Sequence, residues 1–222
     1  AQAGDPVVAG VSELAVARQI QTNLLQQTMP QMEGIAVQAC CHPAREVGGD
    51  FFEVYTHPNG DLWLAVGDVS GKGVPAALFM ASTMSVLRLE LSQEHPPAPD
   101  VLMQHLNRTL MDGLVASNCF ITMVLVRYTP ATRQLIYANA GHVLPMHWSM
   151  GKNDLTDQGS ASKVTSLPLP PAPTYLQTRG VPLGILPNWT ASAETLTIER
   201  GDVLLLTSDG ITEAHVFTDL FS

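Results

Sequence analysis

Apolar positions recur along the chain at two different periods, and the change between them divides it. Leu14, Ala17, Ile20 and Leu24 follow one another at helical spacing behind Ser12, a suitable cap, until Met29-Pro30 stops the pattern. The spacing predicts one amphipathic helix over 12–30. Its other face carries Gln19, Gln26 and Gln27 and is nearly uncharged. Such a helix either docks on the domain that follows or pairs with a second copy as a short coiled coil.

From Ile35 the pattern shifts to short β-branched and aromatic runs at 35–40, 50–55 and 62–66. Asn59-Gly60 between the last two predicts a hairpin, with both residues in the positive φ of a type I′ turn. Two helices follow, one from about Pro75 through Met80, Met84 and Leu87, the other over 100–114 after Pro96-Pro97 and Pro99. Strand patterns resume at 120–128, 134–138 and 144–148, read as adjacent antiparallel strands. The stretch 150–173 is rich in Gly, Ser, Asp and Pro and predicts an exposed insertion. Beyond it come 193–198 and 203–207, the latter apolar enough for a buried central strand. Strands grouped around helices, without strict βαβ alternation, predict an α+β fold of stacked layers.

Composition narrows the partners. Of 222 residues 45% are hydrophobic and 14% charged, enough apolar material for a substantial core. The 11 Lys and Arg against 20 Asp and Glu give a net charge of −9, which repels nucleic-acid phosphates and anionic membrane surfaces. No nucleic acid and no membrane partner is expected. No run reads as the roughly 18 apolar residues of a membrane span, and the N-terminus lacks a signal-peptide layout. Three cysteines, two of them adjacent (Cys40, Cys41), suit neither a disulfide framework nor a zinc site. A reducing cytoplasm is the expected compartment.

Three aspartates sit in similar surroundings, in Gly48-Gly49-Asp50, Gly67-Asp68-Val69 and Ser208-Asp209-Gly210. A carboxylate at the end of an apolar strand projects from the sheet rim, and neighbouring glycine admits close approach. Oxygen ligands for a hard cation are assembled this way. One Asp-Gly is usually a turn; three at strand ends favour a metal site.

Other motifs fail on their own requirements. Gly71-Lys72-Gly73-Val74-Pro75-Ala76 matches the spacing of a dinucleotide loop, but a second helix follows where a parallel strand is needed. A P-loop needs Ser or Thr where Gly73 stands, and a nucleophile elbow needs Gly where Asp68 stands. The seven histidines form no zinc motif. His142 suits a structural role in its turn better than a role in the site, and Met80 and Met84 suit a core or docking face better than a cofactor box. Lys72 either adds positive potential at the site or is solvated.

The ordered motifs Pro43-Ala44-Arg45-Glu46-Val47-Gly48-Gly49-Asp50-Phe51-Phe52, Gly67-Asp68-Val69-Ser70-Gly71-Lys72-Gly73, Asn139-Ala140-Gly141-His142, Val181-Pro182-Leu183-Gly184 and Ser208-Asp209-Gly210-Ile211-Thr212-Glu213-Ala214 together resemble the bacterial SpoIIE/RsbU branch of the PP2C-type, metal-dependent serine/threonine phosphatases. The resemblance implies an αββα sandwich over 33–222 with a site for two Mn²⁺ or Mg²⁺ ions at one edge of the sheets. It implies that Asp68 bridges both ions, that the Val69 carbonyl and Asp209 are ligands, and that Asp50 ligates or orients water. Arg45 is the candidate for gripping the substrate phosphate; its alternative is a solvated surface side chain.

The segment 1–32 resembles the linker helix that joins an upstream sensor domain to the phosphatase, with homodimerisation through that helix as a further expectation. The implied substrate is phosphoserine or phosphothreonine of a regulatory protein of the anti-sigma-factor antagonist type. Family members also carry a later strand with an Asp-Asp pair; 215–222 contain none. That difference sets up the alternative, a catalytically silent module that binds a regulatory protein without hydrolysing it.

Overall fold

The computed structural model describes residues 12–42, 46–150 and 172–212. The first helix, α1 (Glu13–Leu25), is shorter than the periodicity predicts. It stops because Gln26 turns extended, which lets Gln27 reach the edge of the sheet.

The hairpin forms as β1 (Phe51–Thr56) and β2 (Leu62–Val69), paired from Phe51↔Gly67 to Thr56↔Leu62. Its turn differs from the type I′ expectation. Gly60 alone takes positive φ, and the loop closes through His57 N–H to the Asp61 carbonyl and Gly60 N–H to the His57 carbonyl. Asn59 instead accepts from the Asp61 N–H through its side chain, so its own backbone need not adopt the left-handed region. The expected strand over 35–40 reduces to one bridge, Met32↔Ile35. The outer edge of β1, where such a strand would pair, is taken by glutamine side chains of the first segment.

Helices α2 (Val74–Leu91) and α3 (Pro99–Ala116) each carry proline in the first turn, where the missing N–H costs nothing. The next strands are β3 (Ile121–Thr129), β4 (Gln134–Ala140), β5 (Met146–Trp148), β6 (Thr174–Tyr175), β7 (Glu194–Thr197) and β8 (Val203–Leu205), before the short α4 (Asp209–Thr212). They build a five-stranded sheet in the order β1-β2-β3-β4-β7 and a three-stranded sheet in the order β6-β5-β8.

Two sequence expectations change here. The strand at 144–148 does not continue the first sheet, because β7 takes the place beside β4 and β5 becomes the centre of the second sheet. The run at 203–207 is an edge strand among the described residues, half exposed at Val203 and Leu205, rather than a buried central one.

Alternation along the strands separates two cores. Trp63, Ala65 and Val69 of β2 and Ile121, Met123 and Leu125 of β3 pack under α2 and α3 with Met80, Met84, Leu87, Leu102 and Leu106. Met80 and Met84 are therefore core. Val124 and Val126, joined by Leu135, Tyr137 and Leu176, face the second sheet. Because β3 is buried on both faces, its apolar run is continuous rather than alternating.

Helix α2 is long and apolar enough by composition to cross a membrane, which the run-based reading of the sequence did not register. Its Ala76, Met80, Thr83, Met84, Leu87 and Leu91 are buried in the first core, as in the core helix of a globular domain.

Candidate metal centre

Asp68 lies within β2 rather than past its end, opposite Thr122 of β3. By strand parity it points to the face shared with Leu64 and Val66, away from the helices and toward the second sheet. The last paired position of β1 is Phe51↔Gly67, so Asp50 sits at the next step, beside Asp68. Gly67 is required there: a Cβ would stand 2.5 Å from the Phe51 ring. Gly49 is required more strongly, since its Cβ would meet the Val69 carbonyl at 2.4 Å and Asp68 Oδ1 at 2.7 Å. The glycines read in the sequence as permitting close approach thus have a defined function: they let two backbone segments and two carboxylates share one rim.

Asp209 arrives from the far end of the chain, opening α4 directly after Ser208. Its charge is felt at both other aspartates. Burial, then the charges of Asp50 and Asp209, push the Asp68 carboxyl up to about 7, against a backbone hydrogen bond at Val69 that lowers it. Asp50 is likewise raised, first by burial and also by Asp209, with the Ser208 hydroxyl opposing the shift. Mutual repulsion of this kind is relieved by a cation.

Unpartnered polar atoms gather at the same place. Asp50 Oδ1, His142 Nε2 and Thr207 Oγ1 are buried and make no hydrogen bond. Since buried polar groups are nearly always satisfied, the orphaned Asp50 oxygen, the coupled carboxylates and the all-oxygen donor set fit a hard divalent cation. Among the described residues no three His, Cys, Asp or Glu side chains close into a ligand group on their own. Mg²⁺ does not demand one, because it keeps several waters and takes one or two carboxylates.

Of the sequence-derived candidates, Asp50, Asp68 and Val69 therefore share one rim, and Asp209 lies near enough for its charge to act on both other carboxylates. Arg45 lies outside the described residues, as does the segment 213–222. Lys72 is exposed in the turn between Gly71 and Gly73. His142 holds its turn through its backbone, donating to Asn139 Oδ1 and accepting from Asn139 Nδ2. Its ring also joins the rim, with Nδ1 2.9 Å from Thr122 Oγ1. Burial lowers the imidazole to about 4, opposed by the Thr207 backbone and the Asp209 charge, so the ring is neutral at physiological pH. The Thr207 backbone is close enough to favour a proton on the ring without meeting hydrogen-bond geometry at Nε2.

Thr122, Ser208 and the glutamines Gln21 and Gln27 were not singled out for this site by sequence. Gln21 donates to the Gly48 carbonyl at 2.7 Å and accepts from the Gly48 N–H at 3.0 Å. Gln27 repeats the pattern, donating to the Phe52 carbonyl and accepting from the Val54 N–H. These bonds dock the first helix on the domain.

The chain matches the family model described as "Stage II sporulation protein E (SpoIIE)" over residues 58–221. It is 30% identical over 204 residues to "Phosphoserine phosphatase RsbU" of Bacillus subtilis, covering 92% of this chain and 54% of that one, so it spans about half the relative's length. Its fold is similar to the SiaA-PP2C domain of Pseudomonas aeruginosa, with a TM-score of 0.64 at 17% identity over 89% of this chain and 70% of that one. It is also similar to RsbX, solved in complex with magnesium, with a TM-score of 0.51 at 18% identity over 72% and 65% of the two chains.

Proposed function

Because this chain belongs to the SpoIIE family, we propose that it is a PP2C-type, metal-dependent phosphatase acting on phosphoserine or phosphothreonine of a regulatory protein. The observation that carries the proposal is the placing of Asp50 beside Asp68 within reach of the Asp209 charge, which together with burial raises the proton affinity of both. The relative RsbU, a phosphoserine phosphatase by name, and RsbX, solved with magnesium, support the same reading.

Asp50, Asp68, Asp209 and the Val69 carbonyl would hold two Mn²⁺ or Mg²⁺ ions. Bound there, the ions would acidify water and offset the charge that builds on the phosphoryl oxygens in an in-line displacement. The chain's own contribution is positional. Gly49 backs against Asp68 and Val69 and limits their movement. Asp50, with one oxygen unengaged, is placed to accept a proton from an attacking water. His142 braces Thr122, the cross-strand neighbour of Asp68.

The remaining expectations complete the proposal. The segment 33–222 is the phosphatase domain and 1–32 a linker from an upstream sensor domain, with dimerisation through the first helix. The substrate is a phosphorylated anti-sigma-factor antagonist in the cytoplasm, and Arg45 contacts its phosphate. The second reading, a silent binding module, draws on the lack of a closed three-ligand group among the described residues. Hydrolysis of p-nitrophenyl phosphate with Mn²⁺, with Mg²⁺ and with EDTA, beside Asp68→Asn, separates the two. Metal-dependent turnover lost in the variant supports the phosphatase; no turnover with either metal supports the silent module.

A further inference from the structure

Two segments of the sequence, 139–142 and 179–184, interlock beside the carboxylate rim. Gly141, at φ 69°, faces Pro182, which a Cβ would approach to 2.8 Å. Gly180 faces the Asn139 carbonyl, which a Cβ would approach to 2.5 Å. Each thus presents a glycine where the other needs contact, and the segment 179–184 lies across the end of β4. It is held there from both sides: Leu183 exchanges two backbone hydrogen bonds with Ile121, and Asn107 accepts from the Gly184 N–H. The place of Arg179 follows from this packing.

The interlock borders an open cavity of about 340 Å³, with Asn139, Gly141, His142 and Leu144 on one side and Arg179 and Gly180 on the other. No carboxylate lines it, and Arg179 is the one charged residue among its described walls at neutral pH. His142 is 8% exposed and is one of the residues lining the cavity. Asn139 contributes no free polar group, since both its amide atoms are engaged by the His142 backbone. The charged group its described walls leave to a ligand is therefore the Arg179 guanidinium. None of Asp50, Asp68 or Asp209 belongs to this wall, yet the Asp209 charge reaches His142.

We propose that the cavity between His142 and Arg179 is a specificity subsite that takes an acidic side chain flanking the phosphorylated residue of the protein substrate. The proposal rests on the phosphatase reading for its substrate and extends it with a residue outside the metal rim. A carboxylate in this cavity pairs with the Arg179 guanidinium. In a molecule of net charge −9 an acidic stretch of substrate needs such a local cation to approach the aspartate rim.

The test uses the full chain and fluorescein-labelled peptide pairs with either Glu or Gln on both sides of the target serine. Binding of the serine forms is read by anisotropy in Mn²⁺, and hydrolysis of the phosphoserine forms by phosphate release. Wild type should prefer the Glu peptide, with KM about tenfold lower and kcat little changed. Arg179→Ala should erase that preference, Arg179→Lys should keep part of it, and Arg179→Glu should invert it, all at unchanged thermal midpoint. Hydrolysis of p-nitrophenyl phosphate, which has no flanking group, should be unaffected by Arg179→Ala.

Equal treatment of the two peptides by wild type, or a preference that survives Arg179→Ala, overturns the subsite. An equal rise in KM for p-nitrophenyl phosphate and both peptides overturns it too, since Arg179 would then hold the phosphoryl group itself. If wild type hydrolyses nothing, the phosphatase reading fails, and the anisotropy comparison still decides the subsite.

Discussion

The side-chain amide of Gln21 both donates to and accepts from the backbone of Gly48, two residues before Asp50. Together with Gln27 on Phe52 and Val54, it gives the outer edge of β1 the bonds a neighbouring strand would supply, on either side of that aspartate. The first segment is thus joined to the carboxylate rim by two amides rather than by apolar packing alone.

Gln21→Ala removes both bonds at Gly48 and should destabilise the domain by about 1–3 kcal/mol. Mn²⁺ titration of activity should shift to higher concentration, because Gly48 and Gly49 position the approach to Asp50. Gln27→Ala should cost similar stability in urea melts with a smaller shift in metal requirement. Equal metal dependence in wild type and Gln21→Ala would show that the helix does not support the rim.

The two glycines before Asp50 should behave differently. Gly49→Ala places a methyl 2.4 Å from the Val69 carbonyl and 2.7 Å from Asp68 Oδ1, so turnover should fall at least tenfold and stability by about 1–3 kcal/mol. Gly48→Ala meets nothing within 4 Å and should retain both. Parallel assays and thermal melts of the two variants check this.

Folding raises the Asp68 carboxyl from 3.8 to about 7, so the metal-free folded state binds a proton that the unfolded chain releases. That stability is fully present below about pH 4 and is lost as pH rises through about 7. In EDTA this group therefore lowers the thermal midpoint between pH 5 and pH 8. Mg²⁺ or Mn²⁺ displaces the proton, so added metal should raise the midpoint more at pH 8 than at pH 5. Asp68→Asn should flatten the EDTA profile, a result read by scanning fluorimetry at several pH values.

Glu53 is buried on β1 and paired at 2.7 Å with Arg88, whose guanidinium also donates to the Leu24 carbonyl. Burial raises the Glu53 carboxyl more than Arg88 lowers it. Arg88→Met strands the carboxylate and should destabilise by about 2–4 kcal/mol, below the full cost of a buried pair because Arg88 is partly exposed. The loss should grow as pH rises above the ordinary glutamate range, and adding Glu53→Gln should restore most of it. Urea unfolding of the single and double variants provides the measurement.

Much of this organisation is legible in local sequence. Proline and apolar spacing mark α2 and α3, because those signals act within a few residues. The run at 62–66 and its partner mark the hairpin, although β2 extends on through Asp68. The aspartate-glycine clusters point to Asp50, Asp68 and Asp209 because a carboxylate beside glycine at an apolar strand has few structural reasons to be there.

What the tertiary structure decided depends on contacts distant in sequence. The run at 203–207 reads as a central strand because local hydropathy does not carry the number of neighbours, and among the described residues β8 has one pairing, to β5. The strand expected at 35–40 gave way to glutamine side chains that share no sequence signal with the edge they cover, 27 residues away at Gly48. His142 reads as a turn residue and is one, but only the register of Asp68 with Thr122 brings its ring to the rim. Local spacing therefore determined which residues are the candidates for the chemistry. The pairing of strands, the approach of backbone at Gly49 and the interlock of Gly141 with Pro182 determined where they meet, because close contact is a property of packed chain and not of order along it.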